Sequence, residues 1–82
     1  MPVSETHVLQ QLAKRIKALR EERLWTQEQL AERAAIQRSY LGDLELGRRN
    51  PSVRTLVKVA NAFGVAVSAL LEGGQKERAA RK

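Results

Sequence analysis

The side chains in this sequence that could do chemistry are mainly those of arginine and lysine. They number 15 against 9 aspartates and glutamates, which gives a formal net charge of +6 at pH 7. Residues 8–72 hold 11 of the basic and 7 of the acidic side chains, so the positive charge is spread over the body of the chain. A small domain with this excess favours a polyanionic partner, usually a nucleic acid.

The residue types that catalysis and metal binding require are scarce. The chain has no cysteine, which excludes disulfides, cysteine-ligated zinc and cysteine nucleophiles. Its one histidine, His7, lies near the N-terminus, and a single histidine cannot assemble a histidine metal site. Since no pair of groups has the spacing of a catalytic site, we expect no enzyme activity, no metal and no cofactor.

The length and hydropathy indicate a small soluble domain. The 82 residues, 43% of them apolar and 29% charged, are enough for about one such domain. No apolar run approaches the roughly 20 residues that cross a bilayer, and residues 1–8 lack the pattern of a secretory signal. We expect a cytoplasmic protein with no membrane association.

Five segments of the sequence have the pattern of helices, and none is convincing as a strand. Apolar residues recur at intervals of three and four over residues 8 to about 23, which predicts the first helix. Thr26 and Gln29 match the capping pattern Thr-x-x-Gln, in which each side chain bonds the backbone amide of the other residue. A second helix is therefore expected over residues 27–34.

The third helix is predicted over residues 38–46, where Gly47 can end it in a left-handed conformation. It follows the second helix after only a few residues, so the two must turn sharply against each other, as in a helix-turn-helix. Ser52 fits the N-cap of a fourth helix that stops at Gly64, and residues 67–71 are predicted to form a short fifth helix.

These elements divide the chain into three parts. We expect a flexible N-terminal arm over residues 1–7, one helical domain over residues 8–72, and a flexible basic tail over residues 73–82. The tail has two alanines as its only apolar residues, which cannot support a packed core. Its four basic residues against one acidic residue add to the charge of the domain.

Four short motifs carry a resemblance to a known family. They are Thr26-Gln27-Glu28-Gln29-Leu30-Ala31, Arg38-Ser39-Tyr40-Leu41, Glu45-Leu46-Gly47-Arg48-Arg49-Asn50-Pro51-Ser52 and Ala62-Phe63-Gly64-Val65. From about residue 12 to residue 71 the sequence resembles the Cro and phage-repressor type of helix-turn-helix. The resemblance implies an all-α, lambda-repressor-like fold, which is a compact five-helix bundle whose third helix enters the major groove of DNA.

Base-reading positions are also implied by the resemblance, at Gln37, Arg38, Ser39 and Asp43. Arg38 can donate two hydrogen bonds to O6 and N7 of guanine, a pairing that discriminates against other bases by roughly 1–3 kcal/mol. The Asp43 carboxylate could accept a hydrogen bond from cytosine, orient a nearby arginine or be solvated, and the sequence leaves these roles open.

Phosphate contacts are implied, by the same resemblance, for Gln27, Tyr40, Arg48, Arg49 and Asn50. A helix N-terminus offers free amides to an anion, which suits the position of Gln27. The Tyr40 hydroxyl suits a phosphate, whereas its ring suits inward packing, and both roles stay open.

Two further features concern structure instead of DNA. The resemblance implies an internal ion pair between Arg20 and Glu45 that fixes the third helix. The sequence departs from the family at the turn between the first two helices, where glycine is frequent and this chain has Leu24 followed by Trp25. The geometry of that turn is open.

The resemblance implies a two-fold dimer, because one reading helix covers only a few base pairs. Its seam would comprise Val65, Val67, Leu70 and Leu71, unless these residues close the monomer core. The implied function is a sequence-specific transcriptional regulator of the repressor or controller type, bacterial or phage, that binds a pseudo-palindromic operator on double-stranded DNA. The alternatives are an antitoxin or adaptor that mainly holds a protein partner, and a nucleic-acid coat without sequence preference.

Overall fold

A computed structural model of the chain describes residues 3–72, and within them the protein is all-α. Five helices follow one another: α1 (Glu5–Glu22), α2 (Gln27–Ala34), α3 (Arg38–Glu45), α4 (Val53–Phe63) and α5 (Val67–Leu70). The predicted all-α five-helix fold is therefore confirmed. The predicted basic tail of residues 73–82 lies outside the described residues. No helix in residues 3–72 is both long enough and apolar enough to span a membrane.

Helix α1 begins earlier than the sequence predicts. Its first residue is Glu5, because the hydroxyl of Ser4 accepts a hydrogen bond from the backbone amide of His7 at 3.0 Å and caps the helix. The carboxylate of Glu5 also lies in the first turn, where the helix dipole favours a negative charge. The predicted flexible arm of residues 1–7 is therefore wrong for residues 5–7, which are helical.

The starts of α2 and α4 have the predicted caps. Thr26 Oγ1 accepts from the amide of Gln29 at 3.1 Å, and the Gln29 side chain accepts from the amide of Thr26 at 2.8 Å. Ser52 Oγ accepts from the amide of Thr55 at 3.1 Å. Each cap satisfies backbone amides that the helix itself leaves without an acceptor.

Each of the four turns between helices contains one residue in the left-handed conformation. Gly47 follows α3 with φ +75° and Gly64 follows α4 with φ +73°, which glycine adopts without strain. Leu24 and Ala35 take the same conformation after α1 and α2, with φ of +59° and +57°. The amide of Trp25 then donates to the carbonyl of Arg20, so the α1–α2 turn keeps the hydrogen bonds of a glycine turn although Leu24 occupies it.

All five helices contribute to one apolar core. Its fully buried members are Leu12, Ile16, Leu30, Leu41, Leu44, Val59 and Leu70. Leu70 is 0% exposed in the monomer, so it closes the core and has no surface to offer a dimer seam. Val65 and Val67 are half-buried against the core, whereas the side chain of Leu71 is exposed. Of the predicted seam, only Leu71 and parts of the two valines remain accessible.

An aromatic stack joins the α1–α2 turn to α4. The rings of Trp25 and Phe63 lie parallel with their centroids 5.8 Å apart. The guanidinium of Arg33 lies 4.4 Å from the centroid of Trp25, and that of Arg23 lies 4.9 Å from the centroid of Phe63. Arg23 also donates to the carbonyl of Phe63 at 2.9 Å. These contacts hold the Leu24 turn against the end of α4.

Candidate nucleic-acid interface

The start of α3 presents three polar side chains to solvent. Gln37 occupies the N-cap with extended backbone, and its side chain makes no capping hydrogen bond within the described part of the chain. Arg38 and Ser39 follow it, and all three are exposed. The opposite side of the helix is buried through Leu41, Leu44 and Glu45. The three residues assigned to base reading at the start of α3 therefore lie together on its outer surface.

The far end of α3 is fixed by Arg20 and Glu45, the residues of the implied ion pair. Arg20 Nε donates to Glu45 Oε2 at 2.8 Å and Arg20 Nη2 to Glu45 Oε1 at 3.0 Å, a two-point contact between side chains that are 12% and 3% exposed. The hydrogen bond to Glu45 raises the pKa of Arg20 above its usual value. Arg20 Nη1 also donates to the carbonyl of Trp25 at 2.8 Å, so the pair ties α3 to α1 and its turn.

Gln27 joins the same carboxylate from the start of α2. Its Nε2 donates to Glu45 Oε1 at 3.0 Å. A side-chain amide carries two N–H donors, and this bond uses one of them. The position assigned to a phosphate contact is thus held next to α3 by Glu45, which fixes the first residue of α2 relative to that helix.

Two residues assigned to different roles meet on the surface of α3. Arg49 Nε lies 3.5 Å from Asp43 Oδ2, and the Arg49 guanidinium carbon lies 5.2 Å from the centroid of the Tyr40 ring. Tyr40 is half-buried and packs against the core, so its ring takes the inward role that the sequence left open. Of the roles left open for Asp43, the contact matches the orientation of a nearby arginine.

The polar side chains of the loop after α3 differ in their surroundings. The side chain of Arg48 is exposed, and its backbone amide donates to the carbonyl of Asp43 at 2.9 Å. Asn50 Nδ2 donates to Glu5 Oε2 at 3.0 Å. Sequence reasoning missed this acidic neighbour of the loop because Glu5 falls in the predicted arm, although Ser4 and Glu5 together carry the signal of a helix start.

Within residues 3–72, no group of three histidine, aspartate or glutamate side chains is arranged to hold a metal ion. The described surface around α3 carries exposed polar and basic side chains. A rigid helix that carries such side chains, flanked by arginines, can donate hydrogen bonds to nucleotides and offset their charge.

The family model described as Helix-turn-helix matches residues 16–70. The chain belongs to this helix-turn-helix family, in agreement with the resemblance to the Cro and phage-repressor type. The match spans α2, the turn and α3, together with the helices that pack against them.

Named relatives include phage and bacterial regulators. The chain is 55% identical to the immunity repressor protein of Bacillus phage phi105 over 60 residues, which are 73% of this chain and 42% of that protein. It is 45% identical over 62 residues to the HTH-type transcriptional regulator DdrOP3 of Deinococcus deserti, covering 76% of this chain and 48% of the relative. The chain thus spans about half the length of these relatives.

A solved structure has the same fold. The restriction-modification controller protein C.AhdI from Aeromonas hydrophila superposes with a TM-score of 0.74 at 34% sequence identity, over 76% of this chain and 94% of that one. This similarity extends the family assignment from sequence to the arrangement of helices.

Proposed function

We propose that the chain is a sequence-specific DNA-binding transcriptional regulator that binds a pseudo-palindromic operator as a dimer through the major groove. The observation that carries the proposal is the exposed start of α3, with Gln37, Arg38 and Ser39, on a helix whose buried side is locked by Arg20 and Glu45. A reading helix must be held rigidly, because loss of register would displace its side chains from the base edges.

The dimensions of α3 suit the major groove. A helix with its side chains is about 10–12 Å across and the groove of B-DNA is about 12 Å wide. Arg38 lies in the first turn of α3 and is exposed, so its guanidinium can reach the edge of a guanine. Gln37 and Ser39 contact neighbouring bases or phosphates in this arrangement.

Phosphate contacts flank the reading helix in the proposed complex. The first turn of α2, with Gln27, supplies backbone amides and one side-chain N–H, and the exposed Arg48 supplies charge from the loop after α3. The net charge of +6 supports binding to a polyanion and makes it sensitive to salt.

Dimerisation gives the complex a longer site. Two copies related by a two-fold axis would place their reading helices in grooves about 34–36 Å apart, or a multiple of that distance. The exposed Leu71 and the half-buried Val65 and Val67 supply apolar surface for the seam. The names of the relatives support a repressor or controller role, since one is an immunity repressor and another a restriction-modification controller.

Selection of bound sequences from a pool of random duplexes tests the proposal. The expected result is a pair of inverted half-sites at a fixed spacing, which reports base reading and dimer geometry together. Equal binding to selected and scrambled duplexes would overturn the proposal in favour of a nucleic-acid coat. Binding to a protein partner without any duplex preference would support the adaptor or antitoxin alternative instead.

A further inference from the structure

Arg49 lies in the loop after α3, and its side chain folds back across the outer surface of that helix. We infer that Arg49 is a second base-reading residue, and that Asp43 and Tyr40 position its guanidinium in the major groove. The inference rests on the proposed function, and it gives Arg49 a role in sequence preference beyond a contact to phosphate.

The path of the loop brings Arg49 to this place. Gly47 turns the chain with φ +75°, and the amide of Arg48 donates back to the carbonyl of Asp43 at 2.9 Å. These two features reverse the chain direction at the end of α3. The side chain that follows, Arg49, therefore returns along the helix instead of extending beyond it.

Tyr40 and Asp43 form the seat for the arginine. They are three residues apart on α3, so they share one side of the helix. The guanidinium of Arg49 stacks over the Tyr40 ring, with its carbon 5.2 Å from the ring centroid, while its Nε lies 3.5 Å from Asp43 Oδ2. A planar guanidinium held by a ring and a carboxylate has a defined direction, which a side chain held only by solvent lacks.

The contact leaves the donors for guanine available. Asp43 engages Nε, whereas the bidentate bond to O6 and N7 of guanine can be made by the two terminal amino groups. The Arg49 side chain is 52% exposed and that of Asp43 38% exposed, so both are accessible from the outer surface of α3.

Charge also favours this role for Asp43. A lone carboxylate in the groove is repelled by the phosphates on both sides, but the neighbouring guanidinium offsets that charge. Asp43 thus acts as a positioning residue for Arg49. In this arrangement Arg38 at the start of α3 and Arg49 over its middle address different base pairs of one half-site.

The test compares sequence preferences of the wild type with those of Arg49→Lys, Asp43→Asn and Arg38→Lys, by selection from random duplexes followed by competition between single-base variants of the selected site. Arg49→Lys keeps the charge but loses the bidentate geometry. We expect it to relax the preference at one base pair of each half-site by roughly 5- to 150-fold, and Arg38→Lys to relax a different base pair. Asp43→Asn should relax the same base pair as Arg49→Lys.

Arg33→Lys is the matched control, because it makes the same exchange at an exposed arginine of α2 whose guanidinium lies against Trp25. It should retain the preference at the Arg49 base pair. The inference is overturned if Arg49→Lys changes affinity equally for all duplexes, as a phosphate contact would. It is also overturned if Asp43→Asn relaxes a base pair that Arg49→Lys leaves intact, since Asp43 would then read a base itself.

A failure of the proposed function gives a different selection result from a failure of this inference alone. A wild-type protein without any duplex preference would remove the regulator proposal and this inference with it. A wild type that selects a site through Arg38, with preferences unchanged in Arg49→Lys, would remove only the role of Arg49.

Discussion

The Glu45 carboxylate near the end of α3 accepts two hydrogen bonds from the Arg20 guanidinium of α1, at 2.8 and 3.0 Å. The same carboxylate accepts a third bond from Gln27 at the start of α2. One buried acidic group therefore fixes three helices relative to one another. These bonds therefore fix the orientation of α3, and of the side chains at its start, relative to α1 and α2.

Replacement of Glu45 by alanine should destabilise the protein strongly. It would leave the Arg20 guanidinium nearly buried without its anionic partner, which costs about 3–5 kcal/mol in comparable sites. Urea denaturation followed by circular dichroism measures the loss in the free energy of unfolding. Glu32→Ala on the exposed side of α2 is the control and should change the stability little. A loss in Glu45→Ala no larger than that of the control would contradict the structural role of the pair.

Replacement of Leu24 by glycine should stabilise the protein. Leu24 has φ +59° and is 89% exposed, so glycine relieves a left-handed conformation without removing packed side-chain atoms. The strain of about 1–2 kcal/mol exceeds the extra chain entropy of glycine, about 0.5–1 kcal/mol, and we expect a net gain of roughly 1 kcal/mol.

Thermal and urea denaturation measure this gain. Leu24→Ala is the matched control, because it shortens the side chain but keeps the Cβ that strains the turn. It should not show the gain. Equal stability changes in the two variants would mean that the side chain of Leu24, and not its backbone conformation, determines the effect.

Replacement of Gly42 by alanine should also stabilise the protein, for a different reason. Gly42 lies within α3, where glycine costs about 1 kcal/mol relative to alanine. A Cβ at this position would meet only Gln27 Oε1, at an ordinary 3.8 Å, among the described residues. A higher midpoint of thermal unfolding is the expected outcome, and a lower midpoint would show that the space beside Gln27 is needed for packing.

Most limits of the helices could be predicted from the sequence, because their signals are local. Thr26 and Ser52 cap the helices that follow them, and Gly47 and Gly64 end the helices that precede them. The start of α1 is the exception. The apolar pattern of α1 begins after its first turn, and only the cap at Ser4 marks the true beginning of the helix.

The contacts of the loop after α3 could not be predicted in this way. The bond between Asn50 and Glu5 and the approach of Arg49 to Asp43 both depend on the path of the loop in space. That path follows from the left-handed Gly47, which lies close to α1 beside Gln10. The sequence identifies the residue types in the loop, but tertiary packing decides which residues they contact.

Competition between duplexes measures whether the start of α3 reads bases through Arg38. The affinity of Arg38→Gln for the selected site is compared with its affinity for single-base variants of that site, and Arg33→Gln serves as the charge-matched control because Arg33 lies against Trp25. We expect Arg38→Gln to lose roughly 5- to 150-fold of preference at one base pair of each half-site and Arg33→Gln to keep the full preference. An Arg38→Gln protein that still preferred the same sequence by the same ratio would show that Arg38 does not read a base.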